Sequence, residues 1–127
     1  MTKPAVLVGA IILGSAITAA AHHGQVGLFD ESKITELKGT VKRWIFTNPH
    51  PILVVEAPDD KGVKTDWDVY FGPAAVPSLR RQGFSIDTFK TGEAVVIKGH
   101  PATNGAPGLD VLGKGTGVVR ADGRAAP

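Results

Sequence analysis

Three features of this sequence predict a mainly β domain with little helix. Apolar and polar residues alternate with a period of two in several short runs, the signature of half-buried strands. Clusters of Gly, Pro, Asn and Asp stop each run. Only Ala74 to Gln82 has helical composition, and Pro77 and Gly83 confine it to a short piece.

The first strand starts at Ile34. Leu37, Val41 and Ile45 share one of its faces, with Gly39 between the first two. At Trp44-Ile45-Phe46 the alternation breaks, which predicts a β-bulge or burial on both faces. Thr47-Asn48-Pro49-His50-Pro51 ends the strand, because two prolines remove backbone donors. Ile52 to Ala57 is the second strand, and Pro58-Asp59-Asp60-Lys61-Gly62 closes a hairpin after it. In the third strand, Lys64 to Phe71, Trp67, Val69 and Phe71 form a core face while Asp66, Asp68 and Tyr70 form a wet one. Gly72-Pro73 ends it. The short helix follows, with Arg80 and Arg81 in its last turn, where positive charge suits the helix dipole. Phe84 to Lys90 is a connector, and Glu93 to Gly99 a fourth strand centred on Val95-Val96-Ile97. His100 to Gly108 is a loop. Leu109 to Arg120 is a fifth, glycine-rich strand, and its Gly113-Lys114-Gly115-Thr116-Gly117 reads as a bend or a bulged edge. It lacks the strand-to-helix setting of a phosphate loop.

Three strands, a short helix and two more strands fit a small five-stranded OB-like barrel, whose first-second and fourth-fifth loops border the usual ligand face. An open β-roll or a small sandwich would use the same strands less economically. The expected organisation is a signal-peptide helix over 1–21, a lead-in over 22–33, the barrel over 34–120 and a flexible tail over 121–127.

The start of the chain sets the compartment. Lys3 precedes an apolar stretch from Ala5 to Ile17, and Ala19-Ala20-Ala21 supplies a small-x-small cleavage site. The expected location is therefore periplasmic or secreted, with membrane contact only through an uncleaved signal segment. The 127 residues contain no cysteine, which excludes disulfides, thiol nucleophiles and sulfur-ligated zinc. The net charge is only +2, and no basic run exceeds Lys42-Arg43 or Arg80-Arg81, so nothing follows a phosphate backbone and no nucleic-acid partner is expected.

The four histidines carry the candidate chemistry. Cleavage after Ala21 makes His22 the first residue; cleavage after Ala20 puts His23 third. Either places an α-amino group beside imidazole nitrogens, and both bind metals when deprotonated. His50 lies between two prolines in the first-second loop, and His100 opens the fourth-fifth loop. Together His22, His23, His50 and His100 form a candidate site for copper or zinc, with Asp66 or Asp68 as possible carboxylate partners. The plain alternative for each histidine is a solvated or hydrogen-bonding side chain. A second reading is a non-metal module for a small molecule, a glycan or a partner protein, with Trp44, Asn48 and Tyr70 as contacts, joined by Phe46. A third is a copper enzyme built on an N-terminal histidine. The shared metal site requires the lead-in to run back along the first strand to Thr47–Pro51, pinned midway by Leu28-Phe29.

Several motifs resemble a family of small exported bacterial proteins of unknown function. They are His22-His23-Gly24, Leu37-Lys38-Gly39-Thr40-Val41, Thr47-Asn48-Pro49-His50, Trp67, Arg80-Arg81-Gln82-Gly83-Phe84 and Lys90 to Gly99. The resemblance covers nearly all of the chain after the signal segment. Gly24 stands where that family has serine, and Pro51 where it has an aliphatic or aromatic residue. The resemblance implies export and a small β-fold, and it implies no activity.

Overall fold

The structure is a computed structural model that describes residues 27–127. The expected signal segment and cleavage site, with His22 and His23, lie outside the described residues. Strands β1 (Thr35–Ile45), β2 (Ile52–Pro58) and β3 (Lys64–Tyr70) precede helix α1 (Val76–Arg81), and β4 (Ala94–Pro101), β5 (Gly108–Asp110) and β6 (Gly117–Arg120) follow it. The first three strands form an antiparallel meander. The sheet order is β1-β2-β3-β5-β4, and β4 pairs back onto β1, so five strands close a barrel. β3 and β5 run parallel, and the other pairs are antiparallel.

β1 makes the closure. Its first half pairs with β4, from Thr35↔Gly99 to Thr40↔Ala94, and its second half pairs with β2, from Thr40↔Glu56 to Ile45↔Ile52. The register shifts between Val41 and Arg43, a bulge that bends the strand from one partner to the other. The expected irregularity at Trp44-Ile45-Phe46 thus falls slightly earlier. The apolar run there has another cause: Phe46 leaves the strand to enter an aromatic cluster. Gly39 permits the bend. A Cβ on it would stand 2.5 Å from the Glu56 carbonyl oxygen and 2.6 Å from Val55 Cγ1.

Leu37 and Val41 face the core as expected, but past the bulge the phase reverses and Trp44, not Ile45, packs on it. Leu53, Val55, Val69, Ile97 and Leu109 are fully enclosed in the barrel, each burial stabilising by about 1.5–3 kcal/mol. One end is closed by aromatic rings. Trp44 stacks on Phe46 at 5.3 Å and meets Phe89 and Phe71 edge-on at 5.1 and 5.6 Å, with Phe84 beside them. α1 covers this end with Val76 and Leu79, which are buried. Pro77 sits in its first turn and Arg80 and Arg81 in its last, as expected.

Three expectations are corrected. β4 continues through His100 to Pro101, so His100 lies in a strand and not in the following loop. Leu109 to Arg120 is not one strand. His100 pairs with Asp110 and Lys98 with Gly117, so two steps along β4 match seven along its partner. The glycine-rich segment between β5 and β6 takes up the excess outside the sheet. Finally, the C-terminal residues do not form a free tail. Ala125 bridges Val119, the Ala126 amide donates to the Val118 carbonyl at 2.8 Å, and Ala126 is buried. Arg120 anchors this corner: it pairs with Glu93, donates to the Thr88 carbonyl at 2.6 Å and lies over the Phe89 ring. No helix among the described residues is long and apolar enough to cross a membrane.

The close approach at Gly39 gives the first prediction. Gly39→Ala forces a methyl group into the β2 backbone, and overpacking of this kind costs about 1–3 kcal/mol. Urea denaturation should show a lower midpoint. An unchanged midpoint would mean that β1 can relax without the close contact.

Candidate functional site

The outer face of β3 carries the candidate site. Since Val69 points into the barrel, the alternating Asp66, Asp68 and Tyr70 point outward. Two segments wall this face. The lead-in crosses the end of β4: Phe29 bridges Ala102, the Asp30 amide donates to Pro101 O at 2.8 Å, and the Thr103 amide donates to Leu28 O at 2.9 Å. The loop 102–107 is held by its own turn, in which the Ala106 amide donates to Asn104 Oδ1 at 3.0 Å. It is also tied to β3, because the Asp68 amide donates to Pro107 O at 3.1 Å. Between them lies a cleft of about 300 Å³, lined by Phe29, Asp66, Asp68, Tyr70, Asn104 and Pro107 among others. That volume is at the small end of ligand pockets.

Its chemistry is aromatic and acidic. The Phe29 and Tyr70 rings pack on each other, 5.5 Å apart and tilted at 53°. The Tyr70 hydroxyl is 3.5 Å from Asp68 Oδ2, a long contact that leaves the carboxylate capacity for another donor. Partial burial, then the Asp68 charge and hydrogen bond, raise the Tyr70 pKa above its ordinary value, so the phenol stays protonated. Asp66 is already paired with Lys42 Nζ at 2.8 Å. Asp68 has no ion-pair partner among the described residues, and no Lys, Arg or His lines the cleft.

The structure separates the other candidate residues. His100 is buried, and its Nδ1 lies 2.7 Å from the Lys33 carbonyl oxygen. A carbonyl only accepts, so Nδ1 carries the proton and the ring ties the lead-in to β4. Opposite it in the register, Asp110 accepts the Gly72 amide at 2.7 Å. Burial raises the Asp110 pKa, opposed by that hydrogen bond and by His100. His50 is exposed on its turn. Ile52, Tyr70, Asp110 and His100 form one row across neighbouring strands. His50 lies on the turn before β2 and His100 in β4, strands that are not neighbours in the barrel. Among the described residues, no three His, Asp or Glu side chains converge to hold a metal ion.

Phe46 is buried and Trp44 partly exposed. They belong to the aromatic end of the core, and Trp44 Nε1 donates to Ser85 O at 2.7 Å. Asn48 has a structural bond as well: its Oδ1 accepts the Val76 amide at 3.2 Å, supplying the helix start with the acceptor that Ala75 lacks. Of the sequence candidates, Tyr70 lines the cleft, with Asp66 and Asp68 beside it. Phe29 was read only as a pin for the lead-in, and Asn104 only as loop. The pinning is real, but it fixes the lead-in to the end of β4 and not along β1 toward Thr47–Pro51. The signal for the site was the shared outward face of Asp66, Asp68 and Tyr70; the partner segments had no readable signature.

Comparison with known proteins adds a family. Residues 10–110 match a family of unknown function, DUF6152, and the chain belongs to it. No curated protein and no solved structure matches the chain.

His100 on β4 and Asp110 on β5 each give a prediction. His100→Ala removes the bond to Lys33 O, and hydrogen exchange at the Asp30 and Thr103 amides should accelerate while that at Ile97 changes little. Equal acceleration at all three would mean global destabilisation instead of a released lead-in. Asp110 has a raised pKa in the folded state, so the fold binds this proton more tightly than the unfolded chain does. Its contribution to stability is greatest below the unfolded carboxylate value, about 4, and is lost as pH rises through the folded value. Asp110→Asn should therefore gain stability relative to wild type as pH rises from about 4 toward neutral. Parallel stability–pH curves would contradict the burial effect.

Proposed function

We propose that this member of DUF6152 is an exported OB-type binding module that takes a small ligand in the cleft on the outer face of β3. The observation that carries the reading is the cleft itself. Its aromatic pair and the Asp68 carboxylate are framed by a lead-in and a loop, each fixed by backbone hydrogen bonds. A framed site loses little entropy when it binds. The OB-type assignment is supported by the strand order β1-β2-β3-β5-β4 closing on β1, and by the parallel β3–β5 pair. In that fold the loop between the fourth and fifth strands borders the ligand face, and here loop 102–107 borders the cleft. Export rests on Lys3, the apolar stretch to Ile17 and the three alanines before His22.

A second reading keeps the metal. The lead-in enters the described structure at the cleft rim, and His23 stands five residues before Leu28 in sequence. At about 3.3 Å per residue that span is ~17 Å at most, within reach of Asp68. Copper or zinc held by the histidine pair and a cleft carboxylate fits a donor set without sulfur. Copper titration of the processed protein, followed by spin resonance, tests it. An affinity no greater than that of a free His-His peptide would remove this reading.

The cleft reading makes its own prediction. In a small-fragment screen by saturation-transfer NMR, hits should shift the amides of Tyr70, Ala106 and Gly108. Tyr70→Ala should weaken the best hit about tenfold, equivalent to ~1.4 kcal/mol. Hits that shift other regions only, or no hits, would reject the cleft as the site.

A further inference from the structure

We infer that the cleft selects a small organic cation, a protonated or quaternary amine, over neutral and anionic ligands; this rests on the proposal that the cleft is the binding site. Three observations converge. Among the described residues the lining contributes two carboxylates and no basic side chain. Asp66 is already occupied by Lys42, so the charge that faces an incoming ligand is that of Asp68. The Phe29 and Tyr70 rings, packed on each other at 5.5 Å and 53°, line the cleft beside that carboxylate.

Each part selects for positive charge. Ring faces carry the negative lobe of the aromatic quadrupole and attract a cation placed within about 6 Å of the ring centre. A carboxylate in a partly desolvated cleft attracts the same charge more strongly than it would in water. It repels anions, which meet no donor cation on the walls. Ala102, Ala106 and Pro107 complete an apolar rim suited to the methyl or methylene groups of an amine. A neutral sugar can stack on the same rings, but its hydroxyls need donors and acceptors on several sides. The lining supplies those mainly through Asp68 and Asn104. The small volume fits a single headgroup and not an extended chain.

The probes are choline and its uncharged isostere 3,3-dimethylbutan-1-ol, titrated into the purified full chain by NMR, with glucose as a neutral sugar. Choline should shift the Tyr70, Ala106 and Gly108 amides and bind at least tenfold more tightly than the isostere. Asp68→Asn should erase that preference while leaving the dispersion of the spectrum intact. Tyr70→Phe keeps the ring and should retain most of the choline affinity. Equal binding of choline and the isostere, or tighter binding of glucose, would overturn the cation inference and leave the cleft standing as a site. Shifts confined to residues outside the cleft would overturn the inference too. If neither choline nor any fragment of the screen reaches the cleft, both readings fall.

Discussion

The structure depends on one strand having two partners. β1 gives its first half to β4 and its second half to β2, and the barrel exists only because both ladders are satisfied at once. An open sheet would leave an unpaired edge on β1 or β4, a template for association with other chains. Closure removes that edge at the cost of a sharp bend. The bulge between Val41 and Arg43 supplies the bend, and Gly39 lets the β2 backbone approach where a side chain would block it. The core then fills the closed space with branched aliphatic side chains, and the aromatic group around Trp44 seals the end beneath α1.

Closure also creates the cleft. Once β4 pairs with β1, its far end at Pro101 is brought beside β5, and β5 in turn beside β3. Loop 102–107 must then rise next to the outward face of Asp68 and Tyr70. The lead-in, entering β1 at Thr35, has to pass the end of β4 and is caught there by Ala102, Pro101 and Thr103. The cleft is thus a consequence of strand order, with the lead-in as one fixed wall. His100 holds that wall through the Lys33 carbonyl, a bond made inside the protein, where a lone polar group would otherwise be costly.

Electrostatics divide the two acidic places on this side of the barrel. Asp110 is half-buried, held by one backbone amide and faced by His100; its job is to shape the corner at Gly72. Asp68 opens onto the cleft with only a long contact to Tyr70. The same residue type is therefore half-buried and tied to a backbone amide in one strand and open to a cleft in the next. Burial and the number of fixed donors decide between them.

The sequence by itself determined the period-two strands, the hairpin at Pro58–Gly62, the short helix with Pro77 and its two terminal arginines, and the outward set Asp66, Asp68 and Tyr70. Each depends on neighbours in the chain: alternation, proline's missing donor and the helix dipole are local physics. The chain alone did not separate Trp44, packed on the core, from Tyr70, which lines the cleft, because an aromatic ring carries no mark of which side of a barrel it will face. Nor did it show that Asn48 would cap a helix 28 positions away, or that His100 would bind Lys33 across 67. Tertiary structure alone decided the split between β5 and β6, the docking of Ala126, and the meeting of Phe29 with Tyr70. These contacts are set by barrel closure, a long-range constraint. Distant segments meet there because their backbones share a ladder, and no local pattern in either segment encodes the partner.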